Sequence, residues 1–214
     1  APTEARAQLA ALVALAKDRR MQAFYTLRSR GRPDRTIAVT LAGDRTWRID
    51  IPGGALGGTV DVAFASAAGG IYQCTLPSTK QPGAGCVRVA DASGELPASI
   101  DPRVTHAFTD WRDVLTDRHA PLSIAAARPP TGGTGACYSV ELTSASMAAP
   151  MDAGIYCYAP DGTLTAVVAG FGTLVLVAEP AAAPPTVPLP GPVVAAAPLR
   201  TAAPPSPSPT AARP

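Results

Sequence analysis

The chain has 214 residues, and 12 of its 24 prolines lie in the last 35 positions. Charged residues make up 16% of the chain, against about 25% in an average globular protein, which excludes a highly charged disordered chain and a heptad coiled coil. The last 35 residues contain Arg200 and Arg213 but no acid, so residues 1–179 carry 16 basic and 16 acidic side chains. This balance argues against nucleic acid as a partner. We predict one folded domain over residues 1–179 and a Pro/Ala-rich tail, disordered or polyproline-like, over residues 180–214.

The first half of the chain predicts one amphipathic helix followed by an antiparallel meander. Residues 4–20 are rich in helix formers, and an apolar stripe runs along one face of this helix, at Leu9, Leu12, Val13 and Ala16. Apolar and polar residues then alternate, as in half-buried strands, over residues 23–30, 37–41, 46–51, 60–64, 71–76 and 86–90. Turn-forming segments separate these strands, which favours direct antiparallel connections.

In the second half, one helix interrupts the strands. Asp101 is a good N-cap acceptor and Pro102 suits the first helical position, so we predict a helix over residues 102–117. Its apolar stripe contains Val104, Ala107, Phe108, Trp111, Val114 and Leu115. Further strands are predicted at residues 122–127, 136–142, 154–158, 163–169 and 173–179. The complete pattern has about eleven strands and two helices, which is an α+β fold.

The four cysteines form two local pairs, Cys74 with Cys86 and Cys137 with Cys157. Neither pair has the CxxC or CxxH spacing of a zinc site, so we predict two disulfides that staple neighbouring strands on the outer face of the sheet. The expected cross-strand neighbours are Tyr138 opposite Tyr156, Val140 opposite Gly154, and Ile71 opposite Val89.

The same cysteines bear on the compartment. Disulfides persist in oxidising environments, and the chain begins at Ala1 without Met, which suggests a processed form whose export signal has been removed. We therefore expect an exported protein of the cell envelope or the extracellular space, with lipid anchoring before processing left open. Gly or Pro interrupts the two long uncharged stretches, residues 162–178 and 180–199, so neither predicts a spanning helix.

The order of elements resembles the LolA-like fold of the LolA and LolB lipoprotein carriers, the LppX and LprG cell-envelope lipoproteins and the RseB-type sensor domain. The resemblance covers residues 5–179 and is carried by four segments: FYTLRSRG, GDRTWRIDIP, DPRVTHAFTDWRDVL and GIYCYAPDGTLTAVVAGFGTLVL. It implies an antiparallel meander curved into an incomplete barrel, with the two helices on its concave face. It also implies that a lipid or acyl chain lies between helices and sheet.

A ligand in that position would contact the apolar face of the meander and the helix stripe. The predicted ligand-binding residues are Tyr25, Leu27, Trp47, Ile49, Ile51, Val62, Phe64, Phe108, Trp111 and Leu115. Only two helices cover about eleven strands, and 43 residues of the chain are alanine, so we expect the concave surface to be poorly filled. The alternative for the same residues is ordinary core packing.

Three further features have two readings each. Arg28, Arg30, Arg32 and Arg35 cluster around the first hairpin, either as a solvated turn or as a contact for anionic lipid head groups. The glycines of PGGALGG indicate a mobile hairpin loop at the rim of the barrel; a phosphate cradle is the weaker reading, since no helix follows. The tail, about 100 Å long if fully extended, is either a spacer through the envelope or inert.

The sequence lacks the common catalytic motifs. It contains no GxSxG, HExxH or P-loop motif, and for His106 and His119 we expect surface or helix-end roles. We therefore expect no enzyme, cofactor or metal, and we predict an envelope protein that binds or carries a lipid or another apolar ligand. The alternative is a sensor or protein-interaction domain of the RseB type without bound lipid. Expected partners are a lipid or acyl chain and an envelope protein; the chain would be peripheral to the membrane if lipid-anchored.

Overall fold

In a computed structural model, which describes residues 2–79, 82–83, 85–144 and 148–207, one antiparallel sheet of eleven strands forms the frame. The strands are β1 (Met21–Arg28), β2 (Arg35–Leu41), β3 (Trp47–Ala55), β4 (Val60–Ala67), β5 (Gly70–Thr75), β6 (Gly85–Asp91), β7 (Leu122–Ala127), β8 (Ala136–Leu142), β9 (Gly154–Tyr158), β10 (Leu164–Ala169) and β11 (Gly172–Leu176). The helices are α1 (Pro2–Asp18) and α2 (Trp111–Thr116), with 3₁₀ turns at Leu56–Gly58 and Val104–Phe108.

The sheet consists of two meanders joined at its centre. Its strand order is β6-β5-β4-β3-β2-β1-β11-β10-β9-β8-β7, so the first strand pairs with the last and the sheet ends at β6 and β7. Because β6 and β7 do not pair, the curved sheet stays open. The predicted fold class, an α+β incomplete barrel with two helices, is confirmed.

Alternation along the strands places one continuous apolar core on the concave face. In β1, for example, every second side chain from Met21 to Leu27 is buried. Helix α1 lies against this face, and its predicted stripe points into the core, with Leu9 and Val13 fully buried. Both halves of the sheet and both helices contribute to the same cluster.

The helix predicted over residues 102–117 is shorter and broken, which corrects the prediction. A 3₁₀ turn, Val104–Phe108, is followed by the six-residue helix α2. Asp101 is not the N-cap: its carboxylate accepts the Arg103 N–H at 2.8 Å, but Arg103 is itself the residue before the turn, and its φ of 66° excludes a helix that starts at Pro102. Thr109, at φ −130° and ψ −109°, interrupts the helical conformation a second time. We call residues 101–117 the cover.

Both predicted disulfides form, Cys74–Cys86 and Cys137–Cys157. They lie in two small clusters separate from the main core, and they indicate an oxidising, non-cytoplasmic compartment. The neighbours predicted around the second bridge are confirmed. The prediction for Ile71 is wrong: it pairs with Ala90 rather than Val89, because an irregularity between Ile71 and Tyr72 shifts the register by one residue.

Residues 180–207, which we call the strap, follow β11 and run across the outer face of the sheet. Ala181 exchanges two backbone hydrogen bonds with Gln22 of β1, with N···O distances of 2.8 and 3.0 Å. At the turn between β2 and β3, two proline carbonyls of the strap accept backbone N–H groups. Leu189 then packs beside the Cys74–Cys86 bridge, so the strap helps to bury that disulfide.

The strap next rounds the edge of the sheet at β6 and returns on the concave side. At the edge, the Cys86 N–H donates to Pro192 at 2.7 Å and the Val194 N–H donates to Cys86 at 2.9 Å. On the concave side, the Gln73 side chain donates to the Leu199 carbonyl at 2.8 Å and accepts the Leu199 N–H at 2.7 Å. The strap therefore contacts both faces of the β1–β6 half of the sheet.

The last contacts of the strap are with the glycine-rich loop after β3. Backbone N–H groups of Leu56 and Gly57 each donate to strap carbonyls at 2.8 Å, and the Thr201 N–H donates to Ser99 at 3.0 Å. The loop predicted to be mobile is thus bonded to the strap, and residues 180–207 of the predicted tail lie against the folded domain. Prolines lack N–H groups, but their carbonyls in the strap still accept hydrogen bonds from backbone N–H groups of the sheet and its turns. The tail prediction for residues 208–214 lies outside the described residues.

The described helices include none that combines the length and the apolar character needed to cross a bilayer.

The amide of Gln73 should contribute measurably to stability. Replacing it with Met leaves the N–H and carbonyl of Leu199 without their partner, so Gln73→Met should lower the free energy of unfolding by about 1–3 kcal/mol. Urea denaturation measures the loss, and amide hydrogen exchange at Leu199 should accelerate. The control Gln22→Met changes an exposed glutamine of β1 in the same way. Equal effects of the two substitutions would contradict a stabilising role for the hydrogen bonds between Gln73 and Leu199.

Candidate functional site

All ten predicted ligand-binding residues lie in or against the main core. Nine are buried, and Trp47 is half-buried at its edge. They pack on one another: the Tyr25 and Phe108 rings meet edge to face at 5.0 Å, and Trp111 lies 6.3 Å from Phe171. The expectation of a poorly filled concave surface is therefore not met, because α1 and the aromatic side chains of the cover occupy it. Their assignment to ligand binding stays a prediction.

A small void remains beneath the cover. It lies beside Phe108 and Leu164 and has a volume of about 10 Å³, which is room for a single water molecule. The hydroxyl of Tyr158, which lines this void, is buried and lacks a hydrogen-bond partner within the described residues. Burial raises the pKa of Tyr158 above its ordinary value, so the phenol stays neutral.

A larger cleft of about 330 Å³ opens between the cover, the ends of β1 and β3, and the strap. We call it the arginine cleft. Apolar side chains line part of it, and the predicted residues Leu27 and Ile51 are among them. The charged lining residues are Arg32, Arg35, Asp101, Arg103 and Asp152. The cleft thus places apolar surface directly beside charged groups.

Arg32 and Arg35 are held in this cleft by neutral oxygens. Both guanidinium groups donate to the Gly53 carbonyl, at 2.9 Å from Arg32 and 3.5 Å from Arg35. Arg35 also donates to Pro52 and Ser29, at 3.1 and 3.3 Å. A Cβ atom at Gly58 would collide with the guanidinium of Arg32, so the glycine-rich loop makes room for that side chain. Within the described residues, neither arginine has a carboxylate partner.

The acidic groups of the cleft are paired with another arginine. Arg103 donates to Asp152 at 2.6 Å and to the Asp101 carboxylate at 3.4 Å. The Asp101 side chain is only 4% exposed, and it also accepts from His106. Arg103 and Asp152 are 49 residues apart, so no local pattern in the sequence could have identified this pair.

His106 joins the cover to this cluster. Its Nε2 lies 2.7 Å from Asp101, its Nδ1 lies 2.5 Å from Asp110, and its ring stacks on Trp111 at 5.3 Å. Burial alone would lower the pKa of His106, but the hydrogen bonds and charges of both carboxylates raise it to about 9. The imidazolium therefore donates both N–H groups, and neither nitrogen is free to act as a general base. Sequence reasoning expected only a surface or helix-end role.

A second cleft, of about 410 Å³, lies on the other side of the cover. Trp47 and Ile71 form its apolar wall, and Arg45, Glu95 and Arg112 are among its charged residues. Within the described part of the chain, no cluster of three or more His, Cys, Asp or Glu side chains is suited to a metal ion. The two clefts flank the cover, and the arginine cleft is the one that reaches two of the predicted ligand-binding residues deep in the core.

The His106 contacts predict a pH dependence of stability. Because folding raises this pKa, the stabilisation is fully present below pH 6.5 and is lost as the pH rises through about 9. With solvent screening at the exposed Asp110, we expect a loss of about 1–2 kcal/mol. Urea unfolding of the wild type and His106→Gln between pH 6 and 10 should give a difference that shrinks over this range. His119→Gln is the exposed control. A stability difference between the wild type and His106→Gln that does not change with pH would contradict a positively charged His106 in the folded protein.

Models of known protein families and curated protein sequences were compared with this chain, and none matches. The LolA-like resemblance therefore rests on the order of elements in the sequence. The architecture itself, an open eleven-stranded antiparallel sheet with two helices and two disulfides, is established by the structure.

Proposed function

We propose that this protein is an exported cell-envelope protein that binds a lipid or another apolar ligand between the sheet and the cover, without catalysing a reaction. The observation that carries the proposal is the arginine cleft. There, Leu27 and Ile51 of the predicted ligand-binding set, although only 2% and 1% exposed, line a cleft that lies next to the cover. The LolA-like order of elements supports the same function, and the two disulfides fit export.

The size of the cleft limits how a ligand enters. About 330 Å³ is at the lower end of small-molecule sites, so the cleft as it stands holds a head group and the start of a chain. A longer chain would need the space that the cover fills. The cover is short and irregular, and polar contacts at Asp101 and His106 tie it down. We propose that it lifts while the sheet keeps its form.

A second candidate is a sensor or protein-interaction domain without bound lipid. One observation favours it: the ten predicted ligand-binding residues already pack on one another, with only about 10 Å³ of void beside Phe108. In that case the clefts and the covered sheet would present a fixed surface to an envelope protein.

Native mass spectrometry of the protein purified from its own cell envelope separates the two candidates. Lipid carriage predicts a discrete additional mass that detergent exchange removes and added lipid restores. The absence of such a mass both before exchange and after lipid addition would overturn the proposal and leave the interaction domain.

Filling the arginine cleft should block the ligand. Gly170 lines the cleft, and a Cβ atom there would have Asp152 Oδ2, at 3.5 Å, as its nearest neighbour, so a side chain is tolerated. Gly170→Trp should reduce the bound-lipid fraction to less than about a tenth of wild type, because the indole occupies the space of the ligand. The matched control, Gly170→Ala, should bind normally. Equal lipid binding by both variants, with unchanged thermal unfolding, would exclude this cleft as the entry.

A further inference from the structure

The arginine cleft holds two neighbouring positive charges without a matching negative charge. Arg32 and Arg35 donate to the same carbonyl oxygen, that of Gly53, so their guanidinium groups lie side by side. The cleft carboxylates, Asp101 and Asp152, are already bonded to Arg103, and Asp101 also to His106. Within the described residues, neither Arg32 nor Arg35 forms a salt bridge, since their acceptors are backbone carbonyls and the Ser29 hydroxyl.

Arg35 also has unused hydrogen-bonding capacity. Its Nε atom is buried, and no acceptor within the described part of the chain bonds to it. Burial, and next the charge of Arg32, lower the pKa of Arg35, which is the effect expected of a cation that lacks a counter-ion. Arg35 is therefore incompletely satisfied by its own chain, and an acidic group that enters the cleft would supply the missing negative charge.

The surroundings indicate the rest of the ligand. Half-buried Phe171 supplies apolar surface beside the two arginines, and Ser29 and Thr201 add hydroxyl groups. Leu27 and Ile51 also line the cleft but are only 2% and 1% exposed. A simple inorganic anion would leave this apolar surface unused, whereas an uncharged apolar molecule would leave the guanidinium pair unpaired. An amphiphile with an acidic head satisfies both parts of the cleft.

We propose that Arg32 and Arg35 bind the acidic head group, a phosphate or a carboxylate, of an anionic amphiphile whose apolar chain starts on Phe171 and reaches Leu27 and Ile51 when the cover lifts. This inference rests on the proposed function for the chain and adds the charge of the ligand. Thr201 belongs to the strap, so the strap completes the head-group end of the site. Guanidinium groups suit this task because each presents several N–H donors in one plane to acidic oxygens.

The test is isothermal titration of the full chain with three probes: dihexanoyl phosphatidylglycerol, dihexanoyl phosphatidylcholine and inorganic phosphate. The two lipids share their chains and differ in net charge. We expect the anionic lipid to bind at least about tenfold more tightly than the zwitterionic one. Arg32→Gln and Arg35→Gln should abolish most of this preference. Arg30→Gln, an exposed arginine outside the cleft, removes the same charge and should keep it.

Arg32→Gln is the decisive variant, because Arg32 is exposed and its loss should not prevent folding even if that of half-buried Arg35 does. An unchanged preference in Arg32→Gln overturns the head-group site. Equal binding of both lipids to the wild type also overturns it, but leaves lipid binding intact. Phosphate binding as tight as that of the anionic lipid, and sensitive to Arg32→Gln, supports an anion site for free phosphate and overturns the role of the chain. If none of the three probes binds, the inference is overturned. The proposed function is decided separately, by whether native mass spectrometry finds a bound lipid.

Discussion

The pairing of the first strand with the last is the constraint on which the other features depend. Residues of β1 from Tyr25 to Arg28 pair with β11, which joins the two meanders into one sheet. Both ends of the sheet-forming segment therefore lie at the middle of the sheet rather than at its edges. From there α1 covers the concave face towards β7, whereas the strap leaves β11 along the outer face towards β6. The two halves of the sheet are thus covered by different means.

That asymmetry explains where the clefts lie. Helix α1 packs against α2 and β7, so the β7–β11 half of the concave face is closed by regular structure. The β1–β6 half is closed by the irregular cover and by the end of the strap, which meet at the arginine cleft. Short irregular segments cannot satisfy all of their backbone polar groups internally, so a side chain such as Asp101, which accepts the Arg103 N–H, does so. Charged side chains are therefore concentrated at the arginine cleft, where regular secondary structure ends.

Local pattern was enough to predict the strands. Eleven strands and both disulfides follow from alternation and cysteine spacing, because these depend on residues close in sequence. The break in the cover was not predictable, since it depends on the positive φ angle of Arg103 beneath the buried Asp101. The strap was also missed: Gln73 and Leu199 are 126 residues apart, and a proline-rich composition by itself indicates an extended chain without indicating what it lies on. Of the residues that line the arginine cleft, Leu27, Ile51, Arg32 and Arg35 were singled out from the sequence, but the pairing of Arg103 with Asp152 was not.

The return of the strap around β6 also bears on self-association. An open sheet ends in two rows of backbone groups that can pair with another chain, and a closed barrel avoids this by having no ends. Here the chain bonds to part of each edge strand itself. At β6, the Cys86 backbone already bonds to strap residues; at β7, Arg6 donates to the Leu122 carbonyl at 2.7 Å, and two prolines follow the strand. At each end, the chain's own contacts thus occupy backbone groups that would otherwise be free to pair with a neighbouring chain.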